Sequence, residues 1–161
     1  MEEFRQIIQA LASERVEGIL VGGVAGALRG AARPTRDVDL LYERSPDNYD
    51  RIVAALEPLS PYLRGAPPNL PFLFDARTIA AGGNFTLATT AGDVDLLASI
   101  AGGDFDSLLE HTEVMKVFGC ECRVLDLETL IRVKRAAGRP KDFAAIAELE
   151  LIAENRRIEG E

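Results

Sequence analysis

Val21-Gly22-Gly23-Val24-Ala25, followed by Arg36-Asp37-Val38-Asp39-Leu40-Leu41, is the stretch on which the reading of this chain turns. The acidic half is echoed by Gly92-Asp93-Val94-Asp95-Leu96-Leu97. Alternate side chains of a strand point the same way, so Asp37 and Asp39 are expected on one face. Asp93 and Asp95 are expected to share a face for the same reason. Adjacent carboxylates repel, and a chain usually tolerates them only in water or around a cation. Mg²⁺ takes oxygen ligands, often one or two carboxylates together with substrate phosphates. A glycine pair just upstream lets backbone amides come close to a phosphate. Together these parts point to metal-assisted chemistry on a nucleoside triphosphate.

The surrounding pattern reads as mixed strands and helices, hence an α+β fold with a mixed sheet. Phe4, Ile7, Ile8 and Leu11 fall at helical spacing over residues 2–11. Residues 18–21 read as a short buried strand that Gly22-Gly23 breaks, with a short helix over 24–29. Asp37 to Tyr42 is the next strand. Ser45-Pro46-Asp47 is a helix start, a serine cap with proline at the first helical position, and that helix runs to about Leu56. The proline-rich stretch Pro58 to Pro71 reads as a loop and as the segment most apt to cover a substrate. A short helix is expected within 72–81.

Residues 84–90 and 93–99 pair as a hairpin through Ala91-Gly92. A short helix over 104–111 precedes a second hairpin, 113–118 with 121–125, around Gly119. Asp126 caps a helix through Ala136, with Leu127, Leu130 and Ile131 as its buried stripe. Gly138-Arg139-Pro140 breaks it. A last helix from about Lys141 to Glu154 should turn Phe143, Ile146, Leu149 and Ile152 inward, and the tail from Asn155 should fray. Phe72, Phe74, Phe85 and Phe143 read as core rather than as base-stacking platforms.

The chain has 161 residues, which favours one domain over 1–161, with the helices of about 126–154 packed on the sheet. Its apolar content of 47% can bury a core, and no apolar run reaches the roughly 18 residues of a membrane helix. The start, Met1-Glu2-Glu3-Phe4-Arg5, lacks the basic residues of a secretory signal, so a cytoplasmic protein is expected. A net charge of −8 argues against a broad nucleic-acid footprint but not against a nucleotide. Cys120 and Cys122 supply two ligands where a structural zinc site needs about four, so they read as reduced thiols. His111, the single histidine, reads as structural. The glycine tract is not a dinucleotide fingerprint, because Val21 stands where the first glycine would be needed. No Gly-Lys-Ser/Thr phosphate loop is present.

The order strand, Gly22-Gly23, short helix and Asp37-x-Asp39 resembles the nucleotidyltransferase superfamily, the fold of DNA polymerase β. The wider match runs through Arg33-x-Thr35-Arg36-Asp37-x-Asp39, Val94-Asp95-Leu96 and Lys134-Arg135-Ala136-Ala137-Gly138-Arg139-Pro140-Lys141-Asp142. Within the superfamily the chain is similar to minimal bacterial nucleotidyltransferases and to toxins of the AbiEii group. The resemblance implies transfer of a nucleoside monophosphate from an NTP to an acceptor, with release of pyrophosphate. It implies two Mg²⁺ ions, with Asp37, Asp39 and Asp95 as catalytic metal ligands. Gly22 and Gly23 would offer backbone donors to the β- and γ-phosphates. The family often has serine after the first glycine; Gly23 here keeps the backbone approach without the hydroxyl.

Asp93 shares its face with Asp95, so either is open as the third ligand; strand position and apolar flanks favour Asp95. Arg33, Thr35 and Arg36 flank the acids, and one of the arginines is expected to balance them or grip the nucleotide. Lys134 and Arg139 are candidates for a phosphate, if their helix folds back over the site; otherwise both are solvated charges. The acceptor stays open between a small molecule, a tRNA end and a protein. The alternatives are a nucleotide- or partner-binding domain without catalysis, such as one half of a toxin–antitoxin pair, and a domain whose acids are merely solvated. A homodimer or a partner protein is an open prospect; a membrane is not.

Overall fold

Val38, Leu40 and Tyr42 alternate with Asp37 and Asp39, and that alternation splits the central strand into a buried and an acidic face. In the computed structural model, which describes residues 1–160, Val38, Leu40 and Tyr42 are buried while Asp37 and Asp39 are half-exposed. Among the described residues the strands are β1 (Gly18–Val21), β2 (Asp37–Tyr42), β3 (Tyr62–Leu63), β4 (Phe85–Thr89), β5 (Gly92–Leu97), β6 (Ser99–Ile100), β7 (Gly103–Asp104), β8 (Thr112–Val117) and β9 (Cys120–Leu125). The main sheet has the order β3-β4-β5-β2-β1-β9-β8, and β6 and β7 form a separate small ladder. Hairpins β4–β5 and β8–β9 are antiparallel, whereas β2 runs parallel to β5 and β1 parallel to β9. The sheet is mixed and the fold α+β.

The helices are α1 (Arg5–Ser13), α2 (Gly22–Leu28), α3 (Pro46–Leu56), α4 (Ala76–Ala81), α5 (Phe105–Leu108), α6 (Leu127–Ala137) and α7 (Phe143–Glu159). Helix α1 lies over the Leu20 and Leu40 side of the sheet and packs on α3; its Ile7, Ile8 and Leu11 are buried. The other side carries the acids and the start of α2. Helix α2 touches α6, α6 packs on α7, and Leu149 reaches Gly26.

The expected helix starts are present. Ser45 accepts a hydrogen bond from the Asn48 amide and Pro46 is the first helical residue; Asp126 accepts one from the Thr129 amide. Two expectations are corrected. Phe143 is exposed, at 63%. The turn Pro140–Asp142 sets the phase of α7 so that Asp142, Ile146 and Leu149 face inward, and Phe143 falls outside that stripe. The chain from Asn155 stays helical to Glu159, with Arg157 paired to Glu154 and Arg156 donating to the Arg29 carbonyl. The end of that expected tail, Glu161, lies outside the described residues.

Asn48 ties α3 to the sheet. Fully buried, it accepts from the Glu17 amide at 2.7 Å and donates to the Glu17 and Glu43 carbonyls at 2.9 Å each. Asn48→Ala leaves those backbone groups unpaired in the interior. It should lower unfolding free energy by about 2–4 kcal/mol in urea titration, without changing the far-UV spectrum of the native state.

Candidate active site

Strand pairing builds the site. Strands β2 and β5 lie parallel in register, with Asp37 opposite Asp93 and Asp39 opposite Asp95. All four carboxylates therefore leave the sheet on one face. Ligand oxygens of Asp37, Asp39 and Asp95 converge to within 4.8 Å of one another. Asp93 lies nearer the Gly92 turn, is more exposed at 39%, and falls outside that group.

The glycines are explained by close approach. Gly22 has φ +65°, and a methyl there would stand 1.9 Å from Asp39 Oδ2. A methyl on Gly23 would stand 2.5 Å from Thr35 Oγ1, and that hydroxyl donates to the Asp37 carbonyl. So both glycines make room for the segment that delivers the acids. Sequence reading treats Gly22-Gly23 as a break before the helix. In the structure α2 begins at Gly22, and no side chain caps its first turn.

Crowding shows in the proton equilibria. Burial, reinforced by the charges of Asp37 and Asp95, pushes the Asp39 carboxyl from 3.8 up to about 7; the Lys134 charge opposes that rise. Asp37 is also raised, by burial first and then by Asp95, with Arg64 opposing. Three hard oxygen donors short of positive charge, in a cradle that a Cβ would fill, suit a divalent cation such as Mg²⁺.

Of the expected helpers, Thr35 lies in the site and Lys134 is close enough for its charge to act on Asp39. Lys134 also lines a cleft of about 250 Å³ with Arg135, Gly138, Phe143 and Ile146. The arginines lie elsewhere. Arg33 is half-exposed and faces Glu148 of α7 at 4.0 Å. Arg36 is exposed, with no carboxylate partner among the described residues. Arg139 is taken by Asp142, at 2.7 Å.

The basic residue that braces the acids is Arg64, from the proline-rich segment. Its Nη2 lies 2.8 Å from Asp95 Oδ1, its Nε 3.2 Å from Asp93 Oδ2 and its Nη1 3.7 Å from Asp37 Oδ2. Sequence reading misses it because nothing local marks one arginine in a loop as a partner of strands about thirty residues away.

Another cleft, of about 340 Å³, opens on the opposite face between Leu11, Arg15, Leu40, Cys122 and Arg123. It contains none of the expected site residues. Cys120 and Cys122 are free, and burial raises the Cys122 thiol to about 11.

Among solved structures the chain shares its fold with a protein of Thermotoga maritima whose crystal structure is described as that of a "putative nucleotidyltransferase". The TM-score is 0.57 at 16% sequence identity, over 89% of this chain and 88% of that one. No family model and no curated protein matches the chain. Among the described residues no helix is long and apolar enough to cross a membrane.

The raised carboxyls set a pH dependence. An acid whose folded value exceeds its unfolded one binds more protons when native, so metal-free stability is highest below the unfolded value and falls as pH rises. For Asp39 the window runs from about 4 to about 7. Melting temperature in chelator should fall across that window, and Asp39→Asn should flatten the fall. A Tm that rises between pH 5 and 7.5 and is insensitive to Asp39→Asn contradicts the crowded site.

Proposed function

We propose that this chain is a Mg²⁺-dependent nucleotidyltransferase, moving a nucleoside monophosphate from an NTP to an acceptor hydroxyl or phosphate and releasing pyrophosphate. The observation that carries the proposal is the convergence of Asp37, Asp39 and Asp95 oxygens beside Gly22. The fold shared with the Thermotoga maritima protein supports the same reading.

In this reading Asp37, Asp39 and Asp95 would hold the Mg²⁺, and Asp95 also stands where the acceptor enters. Bound Mg²⁺ supplies charge stabilisation for an in-line displacement. The acceptor oxygen forms a bond to the α-phosphorus as the bond to the bridging oxygen breaks. Pyrophosphate leaves with that electron pair. The acceptor proton passes to the carboxylate of Asp95. Amides at Gly22 and Gly23 would meet the outer phosphates from the uncapped start of α2, and Lys134 would add a positive charge on that side. The protein's own work is then positioning and electrostatic stabilisation. The chain would act as one domain in the cytoplasm, with the Pro58–Pro71 segment walling the acceptor side.

The double variant Asp37→Asn with Asp39→Asn keeps the side-chain volume and removes the charge. It should fold, lose Mg²⁺-dependent ATP binding in isothermal titration, and lower labelled-NMP transfer by at least about 10³-fold in a screen of acceptors, the scale of losing charge stabilisation in a transition state. Normal turnover by the double variant would refute the assignment.

A further inference from the structure

Arg64 follows the two-residue edge strand β3, and its amide donates to the Thr86 carbonyl at 3.0 Å. Its guanidinium therefore starts from the rim of the sheet and reaches across β4 and β5 to β2. It contacts two of the three carboxylates that converge, Asp37 and Asp95, and also Asp93. Nη2 donates both to Asp95 and to the Leu87 carbonyl, each at 2.8 Å. Nε is buried yet has no hydrogen bond, because the Asp93 oxygen at 3.2 Å is out of line. Charge, more than directed bonding, holds that end of the group in place. A divalent cation needs the same oxygens stripped of other partners, so guanidinium and cation compete for them.

The segment behind Arg64 leaves β3 at a glycine, is stiffened by prolines and is clasped back by Tyr62 of β3. Gly65 has φ +80°, and a Cβ there would meet nothing within 4 Å, so no side-chain packing pins the backbone next to the arginine. Beyond it Pro67, Pro68 and Pro71 stiffen the chain. The Tyr62 hydroxyl donates to the Leu70 carbonyl at 3.1 Å, and its ring meets Phe72 edge-on at 6.2 Å between centroids. Leu70 and Leu73 point outward, 46% and 70% exposed.

The geometry points to Arg64 as a resident counter-cation, an autoinhibitory contact that must leave the carboxylates before a divalent ion can enter. Cation loading is thereby coupled to release of residues 64–71 from the sheet. The inference rests on the proposal above that Asp37, Asp39 and Asp95 hold the metal. It concerns binding rather than turnover and needs no acceptor.

The test uses the full chain and Mn²⁺ alone, with free Mn²⁺ counted by electron paramagnetic resonance for wild type, R64A, R64K and D39N. R64A should bind Mn²⁺ at least about tenfold more tightly than wild type, the scale of one lost unit of opposing charge near the site. R64K, a point charge on a flexible stem, should fall between. Mn²⁺ should speed amide hydrogen exchange over residues 64–71 in wild type, and R64A should exchange fast there without it. If R64A does not fold, R64Q, which keeps length without charge, takes its place. Unchanged or weaker Mn²⁺ binding by R64A, with binding still lost in D39N, overturns the counter-cation role and leaves the metal site standing. Failure of wild type and R64A alike to bind Mn²⁺ overturns both.

Discussion

Parallel, in-register pairing of β2 with β5 forces Asp37, Asp39, Asp93 and Asp95 onto one face, a carboxylate opposite a carboxylate at two successive levels. Two unit charges about 5 Å apart repel by about 3 kcal/mol at the effective dielectric of a protein surface. A strand pair chosen for stability alone would not carry that load. The residues between the acids hold the pair together: Val38, Leu40, Val94 and Leu96, all but fully buried, interlock on the opposite face. The acidic face is relieved by a raised proton affinity at Asp39, by Lys134 nearby, and by Arg64 reaching in from the rim. Each of these is a substitute for positive charge, and a divalent ion with a polyphosphate would supersede them.

The backbone around the acids is shaped by the same crowding. Gly22 adopts a left-handed φ against the Asp39 carboxylate, and Gly23 gives way to Thr35. Any side chain at Gly22 would displace the carboxylate it faces. The bend that frees space for Asp39 is also the start of α2, so one local conformation both admits the acid and sets the uncapped first turn of the helix beside it. Structure and chemistry are in this sense one constraint, placed on four residues: Gly22, Gly23, Asp37 and Asp39.

Much of this is written locally. The period of two in residues 37–42 and 92–97 shows both strands and the face that the acids share, and Ser45 and Asp126 mark helix starts by their own capping chemistry. What depends on distant partners is not written there. Arg64 sits in a proline-rich stretch with no periodic signal, and only the edge pairing of β3 with β4 carries it to the acids. Arg33 and Arg36 are nearer in sequence yet face Glu148 and solvent, because proximity along a connector says nothing about direction. Phe143 is outside for a related reason: apolar character suggests burial, but the turn at Pro140 decides the phase of α7. Strand position and apolar flanks favour Asp95 over Asp93 in the sequence, and the oxygens that converge in space are those of Asp37, Asp39 and Asp95.

The central claim is that these carboxylates form a cation site serving a nucleotide. A crystal soaked with Mn²⁺ and a non-hydrolysable NTP tests it most directly, because anomalous scattering locates the ion without reference to activity. The account predicts an anomalous peak among Asp37, Asp39 and Asp95, with triphosphate oxygens completing its shell and Arg64 withdrawn from Asp37 and Asp95. Density for the ion elsewhere, with Arg64 still seated on the carboxylates in the presence of bound nucleotide, would contradict it.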